Sequence, residues 1–252
     1  MNGGGVTLRN ALLANVKTNF GLTSGGAFGI AHATVAGSAL LATGPSGSPF
    51  AFTNCVFANV TNLTSGGLTL SGLSNGFHNT PSFGTGPRTN ALTPFQTVGA
   101  GHYYLATNSP LRNVGTTNLP SALAAALQTR TTWPPLVYSN ITVTTNLLLR
   151  PQAPRDTDTP DLGYHYDPID HLPNYLAVSN CALTISNGCV LSYYDATGLW
   201  LQSGGALACE GTPLTPNRFV DYRTVQEQPV KLGTSAASSG LPINPSRLAG
   251  GT

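Results

Sequence analysis

Residues 6–16, VTLRNALLANV, return 44 positions later as FAFTNCVFANV (50–60). Val6 corresponds to Phe50 and Leu8 to Phe52, while Asn10, Ala14, Asn15 and Val16 match Asn54, Ala58, Asn59 and Val60 identically. Halfway between, 22 residues on, FGIAHATVAG sets Phe28, Ile30 and His32 in the places of Val6, Leu8 and Asn10. A further copy, LTLSGLSN, begins at Leu68. In each copy two apolar residues spaced two apart precede a polar or small residue two further on. That alternation is a strand with one buried face. Short strands that recur every 18–22 residues, with Gly, Ser and Asn between them, point to a solenoid. One coil cannot bury its apolar face. Coils stacked about 4.8 Å apart close a continuous core and satisfy the backbone through parallel ladders. Equivalent residues then stack, so Asn10, His32 and Asn54 are expected in one inward column at a turn. A catalytic role for His32 finds no acidic partner nearby in the sequence.

The composition fits such a fold. Only 8% of the 252 residues are charged, against roughly 25% in ordinary domains. Hydrophobic residues reach 40% at a net charge of +2, which is not a disordered composition. Thr, Ser and Asn must therefore supply the polar surface. The charges are unevenly placed. Residues 1–155 carry seven basic side chains and no acid, whereas residues 156–252 carry four basic and nine acidic ones, a balance of −5. The two halves are complementary in sign. Seven scattered cations form no stripe or cluster of the kind nucleic acid requires, so no nucleic-acid partner is expected. No apolar run reaches the roughly 18 residues of a membrane span. The start, MNGGGVTLRN, lacks a charged region followed by an apolar stretch, so no signal peptide is visible. A strand pattern at Val6 and an end at LAGGT without a closing element read as a fragment of a longer chain.

The four cysteines, Cys55, Cys181, Cys189 and Cys209, form no C-x-x-C pair, which disfavours a zinc ribbon. Cys55, Cys181 and Cys209 lie in apolar strand-like stretches, where a thiol packs as a small hydrophobe. A Cys181–Cys189 disulfide is the alternative for that pair.

The coil-type repeats, FTNCVFANVTN among them, together with GHYYLATNSPLRNVGTT (101–117), resemble the right-handed parallel β-helix (pectin-lyase-like) proteins of bacterial surfaces. The second stretch looks like the Y-x-L-x-x-x-S-P-x-x-x-x-G segment that often follows the last coils in that family, here Tyr104, Leu105, Ser109, Pro110 and Gly115. Tyr103 takes the Tyr place if the register differs. The family also often ends a β-helix module with an Arg, a short loop and D-[IL]-G-[AY]-x-[EH]-Y. Arg155, then Asp161, Leu162, Gly163, Tyr164, His165 and Tyr166, fit in that order. The resemblance implies the fold across most of residues 1–230, and with it a secreted or cell-surface location. It implies little about activity, because that fold carries lyases, hydrolases, adhesins and passive stalks.

Between those motifs, NLPSALAAALQTRTTWPP places Leu119, Leu123 and Leu127 at i, i+4 and i+8 after Pro120, which predicts one short helix over about 120–129. VYSNITVTTNLLLR (137–150) returns to strand character. NCALTISNGCVLSYY (180–194) sets Cys181, Leu183 and Ile185 on one face. GLWLQSGGALACEGTP (198–213) supplies Leu199 and Leu201, then Leu207 and Cys209, and RFVDYRTVQEQ (218–228) starts a further coil. The expected organisation is coils over 1–115, a junction over 116–175, further coils over 176–230 and a flexible tail over 231–252.

The remaining question is RDTDTPDLGYHYDPID (155–170), which holds five of the nine acids. Lyases of the resembled fold generally combine Ca²⁺-binding acids with a basic residue, and glycoside hydrolases need two carboxyl groups about 5–10 Å apart. Residues 1–155 meet neither demand. Asp156, Asp158 and Asp161 offer oxygens to Ca²⁺, but they lack the Gly and Glu of an EF-hand loop. The structural alternative makes Asp156 and Asp158 acceptors in turns and pairs Arg155 with one of them. It packs Leu162, Tyr164 and Tyr166 inward as a strand and seats Gly163 where the backbone crowds a neighbour. Asp161 is then a stabilising clasp. His165 and His171 form a weaker metal candidate without a third ligand, and Trp133, Trp200, Tyr193 and Tyr194 are core or capping aromatics that could stack on sugars where exposed. The sequence favours an all-β, right-handed parallel β-helix acting as a non-catalytic structural or adhesive module that contacts extracellular glycans. No cofactor is required beyond the candidate Ca²⁺. A partial or degenerate polysaccharide lyase or hydrolase is the alternative.

Overall fold

Alternation at period two becomes strands that pair in parallel. The computed structural model describes residues 5–193 and 198–227, so the expected tail over 231–252 and Tyr194 lie outside the described residues. The described chain is mostly β, a parallel β-solenoid with one α-helix and one 3-10 turn. No helix among these residues is long and apolar enough to cross a membrane. The chain divides into two units. One takes Met1–Gln96, Leu105–Thr132 and Arg155–His165, and the other takes Thr97–Tyr104, Trp133–Pro154 and Tyr166–Thr252.

In the first unit the coils run through β1 (Gly5–Ala14), β2 (Thr18–Gly21), β3 (Ala27–Thr43), β4 (Pro49–Thr53), β5 (Val56–Ser65), β6 (Thr69–Leu73), β7 (Gly76–His78) and β8 (Arg88–Thr89). The repeat is the register. Val6 and Leu8 of β1 pair with Phe28 and Ile30 of β3, which pair in turn with Phe50 and Phe52 of β4. The next step differs from the sequence expectation. Phe50 pairs with Leu70 rather than Leu68, so the fourth copy is offset by 20 residues. Leu68 precedes the strand and packs against the core from its edge. The stacked positions give aromatic columns, with Phe28 on Phe50 at 4.7 Å and Phe57 on Phe77 at 5.3 Å between ring centroids. Each buried Phe contributes roughly 1.5–3 kcal/mol relative to an exposed one.

The identical asparagines have a backbone reason. Asn10, His32, Asn54 and Ser74 have φ of 48°, 52°, 53° and 53°, and Asn15, Gly37, Asn59 and Asn79 have φ of 57°, 65°, 55° and 44°. Each column bends the chain through the left-handed region, which Asn enters more readily than most side chains. The coil corner therefore selects Asn before any side-chain contact is made.

The chain continues through β9 (Phe95–Val98), β10 (Gly101–Leu105) and α1 (Ser121–Leu127), the helix falling within the predicted 120–129. Leu123 and Leu127 are its buried residues.

In the second unit the coils are β11 (Leu136–Val143), β12 (Leu147–Leu149), β13 (His171–Val178), β14 (Ala182–Ile185), β15 (Val190–Tyr193), β16 (Leu199–Leu201), β17 (Ala206–Cys209) and β18 (Arg218–Asp221). Leu147 pairs with Leu183 and Leu183 with Leu207, while Leu176 pairs with Leu199 and Val178 with Leu201. Its core is aliphatic, with Cys181 and Cys189 packed among leucines, Val178 and Ile185. All four cysteines are free thiols. Cys209 is exposed, contrary to expectation, because β17 is the edge strand of its sheet.

Candidate functional site

The acidic segment of the first unit is neither a strand nor an open loop. Residues 155–165 form an irregular strap laid on the corner column of the coils. The expected strand through Leu162, Tyr164 and Tyr166 fails at Gly163, whose φ of +88° breaks the alternation. Leu162 and Tyr166 are buried as expected, Tyr164 is half-buried, and His165 is fully buried.

The corner residues hold the strap. Asn10 pairs with the backbone of one residue through both ends of its amide: Nδ2 donates to the His165 carbonyl at 2.9 Å, and His165 N–H donates to Oδ1 at 2.7 Å. Asn54 does the same for Thr116, at 2.9 and 2.8 Å. Its backbone carbonyl accepts from Gly163 N–H at 2.8 Å, and Thr34 Oγ1 accepts from Tyr164 N–H at 2.9 Å. Leu162 N–H donates to the Leu111 carbonyl and Gly115 N–H to the Pro160 carbonyl. A Cβ on Gly163 would meet Thr34 Oγ1 at 2.6 Å and Val56 Cγ2 at 2.9 Å, so the strap approaches as closely as it does only with Gly here.

His32, between the two asparagines in the column, makes no such amide pair. Its Nε2 accepts from Asn54 Nδ2 at 3.0 Å, which leaves the proton on Nδ1. Nδ1 makes no hydrogen bond. The Gly163 carbonyl is close enough to favour the protonated ring but lies outside hydrogen-bond geometry, being engaged by His165 Nδ1 at 3.0 Å. Burial, then the neighbouring His165 ring at 5.2 Å, lowers the His32 pKa to about 3.

His165 faces two acceptors. Nδ1 meets the Gly163 carbonyl and Nε2 meets Asp156 Oδ2 at 2.6 Å. A neutral imidazole cannot donate at both nitrogens, so the geometry suits an imidazolium paired with a carboxylate, or the same pair with the proton passed to Asp156. Asp156 Oδ2 also accepts from Asp161 N–H at 3.0 Å. An oriented His–Asp pair is the arrangement of a general base, but here both side chains are buried and already committed to the strap.

Asp161 carries the heaviest load. Oδ1 accepts from Asn113 N–H at 2.7 Å, and Oδ2 accepts from Arg112 Nη1 at 3.0 Å and from the Thr132 hydroxyl. Arg112 reaches on to the carbonyls of Ala106 and Leu105. Burial pushes the Asp161 pKa up and the Arg112 pKa down, so desolvation opposes both charges and the hydrogen bonds compensate. Arg112 and Thr132 were not singled out from the sequence. The only signal for Arg112 was its place inside SPLRNVG.

Asp158 is exposed and Arg155 half-buried. The oxygens named as Ca²⁺ ligands are thus used differently: those of Asp156 and Asp161 receive donors, and Asp158 stands apart from them in exposure. Among the described residues no group of three His, Cys, Asp or Glu side chains is placed to hold a metal ion. In the second unit, His171 bonds the Arg150 carbonyl through Nε2 at 2.7 Å and meets the Tyr138 hydroxyl through Nδ1 at 3.3 Å. Tyr166 is stacked on Tyr104 and donates its hydroxyl to Glu227. Trp200 packs edge-on to Tyr175, and the Tyr193 hydroxyl donates to Asp221. No protein-family model matches this chain, and neither a curated protein nor a solved structure does.

Proposed function

We propose that the chain is a non-catalytic structural and adhesive module of the right-handed, pectin-lyase-like β-helix type, part of a large secreted bacterial surface protein. The observation that carries this reading is the use made of the acids. Asp156, Asp161 and Asp170 are all buried, and each accepts backbone N–H groups: Asp161 N on Asp156, Asn113 N on Asp161, and Gln152, Ala153 and Val190 N on Asp170. They fasten the chain to itself. The parallel coils in turn present outward rows such as Asn59, Thr61, Asn62, Thr69 and Ser71, whose hydroxyl and amide groups suit extracellular glycans.

A panel of immobilised neutral and acidic polysaccharides, probed for binding and for released reducing ends or unsaturated products, tests the proposal. Retention without product formation supports it. Turnover that survives repurification would replace it with the polysaccharide-active alternative.

A further inference from the structure

We infer that His32, Asn54 and Thr116 form an acid-sensitive latch in the first unit: neutral His32 keeps it closed, and protonating His32 frees the 111–117 segment and the strap from the coil corner while the coils stay folded. The latch is independent of glycan contact along the sheet faces. It follows from a count of hydrogens. The Asn54 amide has two, and both are spent: Nδ2 donates to the Thr116 carbonyl at 2.9 Å and to His32 Nε2 at 3.0 Å. Its Oδ1 accepts from Thr116 N–H at 2.8 Å. The Thr116 backbone therefore fixes which way the amide points, and that orientation requires a lone pair on His32 Nε2. The fit is close, since a Cβ on Gly115 would come within 2.9 Å of Asn54 Nδ2.

A proton on Nε2 sets donor against donor. Both residues are fully buried, where an unsatisfied donor is costly. Turning the Asn54 amide over offers Oδ1 to the imidazolium, but it also sets Oδ1 against the Thr116 carbonyl and Nδ2 against the Thr116 N–H. Both Thr116 bonds are then lost. The loss reaches the strap because Gly115 N–H donates to the Pro160 carbonyl and Leu162 N–H to the Leu111 carbonyl, which laces 111–117 to the strap. The other ring nitrogen gives no relief, since His32 Nδ1 makes no hydrogen bond. Nor do the ionisable groups nearby. The strap brings His165, its ring 5.2 Å away, and Asp156, which is held on His165 Nε2. The 111–117 segment brings Arg112, paired with Asp161. The corner after β4 brings Cys55, a thiol that burial pushes up to about 12 and so keeps neutral. On β1, Arg9 is exposed. Burial and the His165 ring accordingly hold His32 neutral down to a pKa of about 3.

Amide hydrogen exchange on the intact chain, followed by NMR from neutral to acid pH and corrected for the intrinsic rates, reads the latch directly. Opening at Thr116, Leu162 and Gly163 is expected to rise by up to about tenfold per pH unit as pH falls from 6.5 towards about 3. The amides of β3 and β5 are expected to keep their protection over the upper part of that range. His32→Asn supplies an uncharged acceptor at a left-handed corner, as at Asn10 and Asn54, and should abolish the pH dependence at Thr116. Asp156 and Asp161 are unchanged in that variant, so acid opening that acts through the carboxylates would survive it and overturn the inference. Asn54→Ala should open Thr116 at every pH, and protection that outlasts this substitution also overturns the inference. Where His32→Asn weakens the fold, the order of loss in the unsubstituted protein decides. Thr116 and the strap opening before β3 and β5 supports the latch. Simultaneous loss with those strands, or full protection of Thr116 in acid, overturns it.

Discussion

The Phe-rich coils of the first unit and the aliphatic coils of the second use the same parallel ladders, yet each secures its irregular chain differently. In the first, five buried phenylalanines build the core, and corner residues Asn10, His32 and Asn54 meet a strap carrying a buried ion pair and a buried His–Asp pair. In the second, leucines with Val178, Ile185 and two thiols fill the core, and the Asp170 carboxylate collects the N–H groups of Gln152, Ala153 and Val190. Two cores of different composition thus support the same kind of parallel ladder. What distinguishes a region is how it satisfies the polar backbone of segments outside the ladder, since a buried N–H without a partner costs about 1–3 kcal/mol.

The largest effect should come from Asp161→Ala. Removing that carboxylate leaves Arg112 buried without its counter-charge, a loss of about 3–5 kcal/mol. Chemical denaturation should show the drop. Hydrogen exchange in β13 and β14 of the second unit should be unaffected if the two regions fasten independently, and a matching loss there would break the comparison. Gly163→Ala comes next, because a Cβ meets Thr34 and the backbone holds φ of +88°. The expected cost is about 1–3 kcal/mol, read as a lower melting temperature.

Acid should then separate the units further. The folded-state pKa of His32 lies at about 3, below the 6.5 of an unperturbed imidazole, so the unfolded chain binds the proton more readily. The stability contributed by the neutral ring is complete above about 6.5 and is lost as pH falls towards 3, by about 1.4 kcal/mol per unit. His171 in the second unit is also lowered by burial, so its contribution has the same sign. His32→Asn, which restores the residue found at Asn10 and Asn54, should flatten the acid slope of the first unit only. A slope unchanged by that substitution would remove His32 from the account. The smallest effect is expected for Asp158→Ala, at an exposed position, within about 0.5 kcal/mol. Millimolar calcium should leave the melting temperature where it was, and a calcium-dependent rise abolished by Asp158→Ala would favour the metal reading over the strap.

Much of this was legible in the sequence, because solenoid register is repetition itself. The spacing of Val6, Phe28 and Phe50 is the ladder, and the alanine-rich stretch is the helix. The slip from Leu68 to Leu70 was not legible, since LTLSGL alternates equally well in either register and only pairing with Phe50 decides. The role of the asparagines was half legible. Their recurrence marked a column, but the strap that column holds lies more than 60 positions away in the chain. Arg112, Thr132 and Asp161 likewise meet only in the folded chain, and no local pattern joins them. The inward strand expected through Tyr166 failed because one glycine conformation outweighed a good alternation.

The central claim is that the acidic segment is a strap fastened to the coil corners. Native-state hydrogen exchange at Leu162, Gly163, Tyr164 and His165 tests it most directly, because each of these amides donates to Leu111, Asn54, Thr34 or Asn10. The account predicts slow exchange at all four without added metal, comparable to β4 and β5, and faster exchange in Asn54→Ala. Exchange at the rate of an open loop, or protection that appears only with calcium, would contradict it.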